Sequence, residues 1–489
     1  MNGILSIDQG TTSSRAIIFS TKGKKIISSQ LELKQFFPKN GWVEHNPNEI
    51  WSSTIKVTKN VLNKSKKLNI NIKALGITNQ RETTVCWDKK TGKPVYNAIV
   101  WQDRRTENYC KKIKKKENLI KKKTGLLLDP YFSATKIKWI IDNIPNAKKL
   151  LKKNQLLFGT IDSFLIWKLT DGKVHATDAS NASRTMLFNI VQNKWDKEIL
   201  KIFKLNKKIL PIVKNSADDF GFTCKKIVGQ KIPISGVLGD QQAAAMGQVC
   251  FEKGSVKCTY GTGAFVIMNT GNKRLISKNK LLTTICYRIN NKTTYALEGS
   301  IFIAGAGIQW LRDKIRLINN AYQTEKIAKS KKNTQGVYVV PAFTGLGAPY
   351  WNPKSRGIIT GLTRNSDWKN IVRATVESVA YQTFDLFNSM RKDGLHPSSV
   401  KVDGGMVSNN WFTQFLSEIL RIKIVKSGIN ETTALGAAYI AGYQVGIFKS
   451  LKHIKRYWKK DRDFKPKFNK SYRNKLLQGW EQAIRKTLA

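Results

Sequence analysis

Residues 6–20 read SIDQGTTSSRAIIFS, and the order of residue types there points to the fold. Ile4, Leu5 and Ile7 form an apolar run that ends at a carboxylate, Asp8. Gly10 and a block of hydroxyl residues follow (Thr11, Thr12, Ser13, Ser14), then Arg15, before Ala16, Ile17, Ile18 and Phe19 resume the apolar run. The pattern predicts strand, tight turn, strand. Backbone N–H groups of a Gly-Thr-Thr turn can converge on a phosphate. The hydroxyls add donors, and Arg15 adds charge-assisted ones. Asp8 stands where Mg²⁺ could be held through water, since that ion takes phosphates and one or two carboxylates. The plainer alternative is a polar hairpin turn.

The same pattern returns mid-chain. Residues 255–259 read as a strand, Gly261-Thr262-Gly263 as a turn that would be a second phosphate cradle, and residues 265–268 as the return strand. Two such hairpins predict two related half-chains, 1–247 and 248–489, meeting after a short Ala-rich helix. In each half, apolar strands alternate with amphipathic helices. Residues 74–78 and 336–340 read as buried strands. Residues 368–390 read as a long helix with Ile371, Val372, Val376, Val379 and Ala380 on one face. The class is α/β with mixed sheets.

Composition agrees with a large soluble protein. The 489 residues exceed one ordinary core, and 41% are hydrophobic. No apolar run approaches the roughly 18 residues of a membrane span, and no basic segment precedes an apolar one at the N-terminus. A cytoplasmic location is expected. The six cysteines form no CxxC pair and the four histidines no HExxH, which favours free thiols over a metal site. Lys and Arg number 85 against 33 acids, a net charge of +52. The lysines are spread along the whole chain, and Asn and Ile are abundant with them. That is the mark of compositional drift in an AT-rich genome, not of specific nucleic-acid recognition. Neither a Walker A sequence nor GxGxxG is present, so a nucleotide must be bound by other means.

Three further stretches carry chemistry. In ISGVLGDQQA, residues 234–243, a strand gives way to a helix at Asp240, beside Gln241. The carboxylate could take the proton of an attacking hydroxyl or merely cap the helix. In VDGGMVSNN, residues 402–410, Gly405 permits a flat ring or ribose to approach, and Asn409 one turn on can bond a base. Gly305 and Gln309 repeat that spacing, and tight helix packing is the alternative for both. In GITNQRETT, residues 76–84, Arg81 and Glu82 offer donors and an acceptor suited to a small polyol, with Trp101 as an apolar wall. The alternative is a surface ion pair beside a core tryptophan.

Taken together with NAIVWQDRR, NASRTMLFNI, TYGTGAF, PAFTGLGAPYW and TALGAAYIAG, these stretches resemble the FGGY carbohydrate kinase family, and within it the branch that phosphorylates glycerol. The motifs run in order from Asp8 to Gly442. The resemblance implies two ribonuclease-H-like domains of the actin-like ATPase fold flanking a catalytic cleft, the first mainly binding glycerol and the second mainly ATP. It implies that Thr11, Thr12, Ser13 and Arg15 meet nucleotide phosphates, and that Thr262, Gly305, Gln309, Gly405 and Asn409 contact ATP. Arg81, Glu82, Tyr131, Asp240 and Gln241 would hold glycerol hydroxyls, while Trp101 and Phe265 line its carbon side. Asp240 would be the general base, and Asp8 with Asp240 would place Mg²⁺. A homo-oligomer, dimer or tetramer, is implied as well. The rivals are another FGGY sugar or polyol kinase and a non-catalytic, basic actin-like scaffold.

Overall fold

A computed structural model describes residues 1–489. The N-terminal sheet comprises β1 (Asn2–Gln9), β2 (Ser13–Ser20), β3 (Lys25–Glu32), β4 (Asn71–Asn79) and β5 (Ile234–Gly239), in the order β5-β4-β1-β2-β3. The first three strands run antiparallel, whereas β4 and β5 run parallel to β1. From Gly3 onward every residue of β1 is buried, as in a strand covered on both faces.

The C-terminal sheet comprises β6 (Val256–Tyr260), β7 (Ala264–Gly271), β8 (Leu282–Ile289), β9 (Lys292–Ile301), β10 (Ser399–Asp403), β11 (Lys423–Ser427) and β12 (Lys460–Phe464). Its order is β8-β9-β7-β6-β10-β11-β12. The inner five, β9-β7-β6-β10-β11, repeat the N-terminal arrangement. A hairpin lies at the centre, a third antiparallel strand on one side and two parallel strands on the other. Each hairpin thus sits at the centre of the same five-strand arrangement.

The helices that matter here are α1 (Pro47–Lys67), α2 (Asp240–Gly247), α3 (Gly305–Asp313), α4 (Gln323–Ser330), α5 (Trp368–Lys392), α6 (Asn410–Leu420) and α7 (Thr432–Gln444). Local chemistry sets their ends. Asn46 caps α1 ahead of Pro47, and Lys64, Lys66 and Lys67 close it. Asp367 and Asn370 form a reciprocal capping box on α5. That helix buries Val372, Val376, Val379 and Ala380, with Ile371 half-buried. Residues 336–340 depart from expectation. Gly336 turns at φ +83°, and only Tyr338–Val340 is a strand, paired with Ile358–Thr360 in a separate ribbon.

The halves exchange helices where they meet. Helix α7 lies in sequence among the C-terminal strands yet packs on β1, β4 and β5, while α2 packs on β6 and β7. The two helices touch backbone to backbone. A Cβ on Gly247 would lie 1.9 Å from the Thr432 carbonyl oxygen, and one on Gly436 1.8 Å from that of Ala243. Any side chain there would push the halves apart. No helix is long and apolar enough to cross a membrane.

Candidate active site

Strands β1, β4 and β5 are parallel neighbours, and each leads to expected site residues: Asp8 near the end of β1, Arg81 and Glu82 just beyond β4, Asp240 just beyond β5. Side chains at the carboxyl ends of adjacent parallel strands converge on one crevice. Asp240 does not cap α2. Gly239 occupies the cap position and Asp240 is the first helical residue. Its Oδ1 accepts the Gln241 N–H at 2.7 Å and faces Arg81 Nε at 3.0 Å. Its Oδ2 has no protein partner and is free to accept.

Arg81 and Glu82 are no surface pair. Both are buried, and they pair with other residues. The Arg81 guanidinium spans both oxygens of Glu298, with Nη2 to Oε1 at 3.0 Å, and Nη1 also donates to Gln242 Oε1 at 3.3 Å. Arg184 donates from Nε to Glu82 Oε1 at 2.6 Å and from Nη2 to Glu298 Oε1 at 3.0 Å. Four buried charges thus form a chain, Arg81–Glu298–Arg184–Glu82, that crosses between the halves. One N–H on Arg81 Nη2 and the Oε2 of Glu82 remain unused by protein. Burial pushes the Glu82 carboxyl up, against the pull of Arg184 and Arg81. Burial acts on Glu298 too, but there the two arginines outweigh it and hold the carboxyl below its ordinary value. Glu82 also sits at φ +60°, a backbone strain often found where a side chain is aimed for function.

Aromatic rings close one side. Trp101 meets Tyr131 edge-on at 5.7 Å and Phe265 at 5.9 Å between ring centroids. The Arg184 guanidinium carbon lies 5.7 Å from the Tyr131 ring centre, joining the aromatic wall to the charge chain. The Trp101 indole N–H donates to Thr11 Oγ1 at 2.9 Å, so the first hairpin turn reaches the same wall. Gln241 is buried beside Asp240, its amide oxygen accepting from Lys257 Nζ. All seven residues expected for glycerol therefore form one contiguous group.

The residues expected for phosphate are less uniform. Thr12 is exposed at the first turn, whereas Ser13 is buried at the start of β2. Arg15 reaches across to Glu431, just ahead of α7, at 2.8 Å. Burial pushes the Asp8 carboxyl up to about 6; Arg15 opposes this, and Asp240 and Glu431 add to it. A buried carboxylate disfavoured by a second one is the donor set that a divalent cation relieves. Mg²⁺ takes one or two carboxylates and completes its shell with phosphate and water. Asp8 and Asp240 fit that ion when it arrives on a nucleotide.

The residues expected to contact ATP line a cavity of about 490 Å³ on the C-terminal half. Thr262, Gly305, Gln309, Gly405 and Asn409 are all in its wall, together with Thr324 and Glu325 of α4. A Cβ on Gly405 would meet nothing within 4 Å, so the missing side chain is open room. Asn409 caps α6 through Oδ1, which accepts the Phe412 N–H at 2.9 Å. This turns its Nδ2 away from the helix to donate to Thr324 Oγ1. Thr11, Thr12, Ser13 and Arg15 are not part of this wall.

Residues 3–247 match the FGGY family of carbohydrate kinases, N-terminal domain, and residues 256–445 match the C-terminal domain of the same family. The chain belongs to this family. The FGGY relatives include glycerol kinase from Ectopseudomonas mendocina, 52% identical over 99% of this chain and 98% of its own. Glycerol kinase from Alteromonas mediterranea is 54% identical over 98% of each. Among solved structures, Plasmodium falciparum glycerol kinase with ADP superposes with a TM-score of 0.94 at 41% identity, covering 100% of this chain and 99% of that one. This is the two-domain, actin-like ATPase fold of FGGY kinases. A xylulose kinase from Lactobacillus acidophilus, at 20% identity and a TM-score of 0.87, shares the fold.

Four residues of the site escaped the sequence reading. Arg184 lies in the NASRTMLFNI stretch, Glu298 is the one charge in the buried part of β9, and Lys257 is the one charge of β6. A charge that interrupts a buried strand is the signal that could have found the last two. Glu431, the fourth, sits in a loop and carried no such signal.

Proposed function

We propose that the chain transfers the γ-phosphoryl group of ATP to glycerol, giving sn-glycerol 3-phosphate and ADP. The observation that carries this reading is one connected cluster that keeps unused groups. Arg81, Glu82 and Asp240 each keep an unused hydrogen-bonding atom, and ion pairs link them through Arg184 to the Tyr131 ring, which meets Trp101 and through it Phe265. A three-carbon polyol needs that combination, with donors and acceptors for hydroxyls and aromatic surface for carbon. Full-length similarity to glycerol kinases supports the same substrate.

In this mechanism Arg81 and Glu82 hold hydroxyls on the N-terminal half, and ATP occupies the cavity with its phosphates running between the two hairpin turns. Asp240 Oδ2 accepts the proton of the terminal hydroxyl as that oxygen bonds to the γ-phosphorus and the bond to ADP breaks. Thr11, Thr12, Ser13 and Thr262 donate to phosphate oxygens, and Arg15 exchanges Glu431 for phosphate. Asp8 and Asp240 would hold Mg²⁺, which when bound neutralises phosphate charge. Closure of the halves excludes water. Residues 1–247 carry the glycerol side and 248–489 the nucleotide side. The assembly is a homo-oligomer, dimer or tetramer, open to light scattering, and the six free cysteines suit the cytoplasm.

The test is coupled ADP release by the purified protein with glycerol against a panel of pentuloses. Glycerol-dependent release is expected. Release that follows a pentulose and ignores glycerol defeats the proposal.

A further inference from the structure

Lys257 is fully buried on β6, yet the mechanism above makes no use of it. It shares a face of the strand with Thr259, two residues on, and Thr259 is the register partner of Asp403 on β10. Its Nζ donates to the amide oxygen of Gln241 and to Thr259 Oγ1, the latter at 3.0 Å. It forms no ion pair. Asp403 instead accepts from Gln248 Nε2 at 2.9 Å and Thr432 Oγ1 at 2.6 Å. Burial pushes the ammonium below its ordinary value, outweighing Asp403 and Asp240, which favour it without forming an ion pair with it. Packing alone would be better served by Met or Leu. The cation is spent on orienting two neutral oxygens, and one of them belongs to a residue of the proposed glycerol site.

An amide has two faces, an accepting oxygen and a donating nitrogen. The oxygen of Gln241 is engaged by Lys257, whereas Nε2 has no protein partner. We infer that Lys257 is a positioning residue for Gln241: it binds the amide oxygen, so that Gln241 meets the substrate as a hydrogen-bond donor to a hydroxyl oxygen. The inference rests on the proposed glycerol-kinase reading.

A double-mutant cycle on glycerol-dependent ADP release tests it. Lys257→Met and Gln241→Ala are each expected to raise KM for glycerol about tenfold, the worth of one hydrogen bond in a buried site, and to leave KM for ATP unchanged. The double variant should be no worse than Gln241→Ala alone, because Lys257 acts through Gln241. Multiplicative effects, or a normal KM in Lys257→Met, overturn the inference. Gln241→Glu tests the orientation should Lys257→Met not fold. It keeps an oxygen for Lys257 but places a second acceptor where the donor stood, so KM should rise as in Gln241→Ala. A near-normal KM there means that the oxygen, not the nitrogen, faces substrate, and overturns the inference. If the unmodified protein releases no ADP with glycerol, the proposed function itself fails. A multiplicative cycle in an active enzyme removes only the role of Lys257.

Discussion

The two walls of the cleft solve different binding problems. On the proposed glycerol side Arg81, Arg184, Glu82, Glu298 and Asp240 are tied into one charged network, with Glu298 using both oxygens and the other members each keeping an unused atom. The cavity on the other side has only Arg312 and Glu325 as charged residues in its wall, which otherwise consists of glycines, hydroxyls, amides and apolar groups. A small polyol brings hydroxyls that must each find a partner once buried, so its site is wired in advance and a few groups are left over to recognise it. A nucleotide brings its own charge and a flat ring. It needs room and close backbone approach more than fixed charge.

That contrast predicts where damage concentrates. The largest effect belongs to Asp240→Asn. The shape is kept and the fold should survive, but the accepting oxygen loses its basicity. Loss of a general base alone is worth about 10²–10⁴-fold in kcat, read in single-turnover or steady-state assays. Turnover near that of the unmodified protein would remove Asp240 from the chemistry. Next comes Glu298→Gln, which takes away the charge shared by Arg81 and Arg184 without touching the proposed substrate contacts. Breaking one partner of a buried ion cluster destabilises by about 3–5 kcal/mol, and loosened arginines should lower kcat/KM for glycerol on the order of 10²-fold. KM for ATP should stay as it was. A variant with normal urea stability and normal glycerol kinetics would show that the network is ornamental.

How much of this was legible beforehand follows from what each residue's signal depends on. The hairpins were readable because a Gly-Thr turn between two apolar runs is a local pattern, and the repeated β-sheet order grows from them. Gly405 and Asn409 were readable because strand, Gly-Gly and helix follow in sequence, and they do line the cavity with Gly305 and Gln309. The partners of Arg81 were not. Glu298 lies more than two hundred residues away on another sheet, and no local pattern records which carboxylate a buried arginine will meet. The same distance hid the Arg15–Glu431 pair, which binds an expected phosphate ligand to the opposite half. The excess of residues 336–337 in the expected strand came from starting it at the glycine ahead of an apolar run, where the glycine in fact turns the chain.

The cavity side should respond to space where the glycerol side responds to charge. At Gly405 the added atoms of Gly405→Val would enter open room, so folding should be unaffected while the nucleotide loses that room. Steric intrusion of this size costs about 1–3 kcal/mol, which is about a ten- to hundredfold rise in KM for ATP, with KM for glycerol unchanged. A shift in the glycerol constant instead would mean that the walls are not separable in this way.

The smallest effect on activity, none, is expected at a buried carboxyl outside the cleft, and it sharpens why the glycerol side needs its arginines. Asp162 is fully buried like Glu298, but its oxygens accept from neutral groups, the hydroxyls of Thr160 at 2.5 Å and Thr177 at 2.6 Å and the Ser163 backbone N–H, and from no cation. With no cation beside it, burial pushes it up to about 7, partly offset by those hydroxyls, whereas Glu298 between two arginines is held low. The native protein therefore binds a proton at Asp162 that the unfolded chain has already released. Between the ordinary carboxylate value of 3.8 and about 7, this group makes stability fall as pH rises, and the contribution is flat above that window. Asp162→Asn mimics the protonated acid, with one acceptor and a donor in place of the O–H, and has no such dependence. Its unfolding free energy relative to the unmodified protein should be higher at pH 8 than at pH 5, by a margin on the order of a few kcal/mol at most, read from urea melts at the two pH values, while ADP release is untouched. A difference that is the same at both pH values would mean that Asp162 is already ionised in the native protein and that neutral groups alone suffice to hold a buried charge.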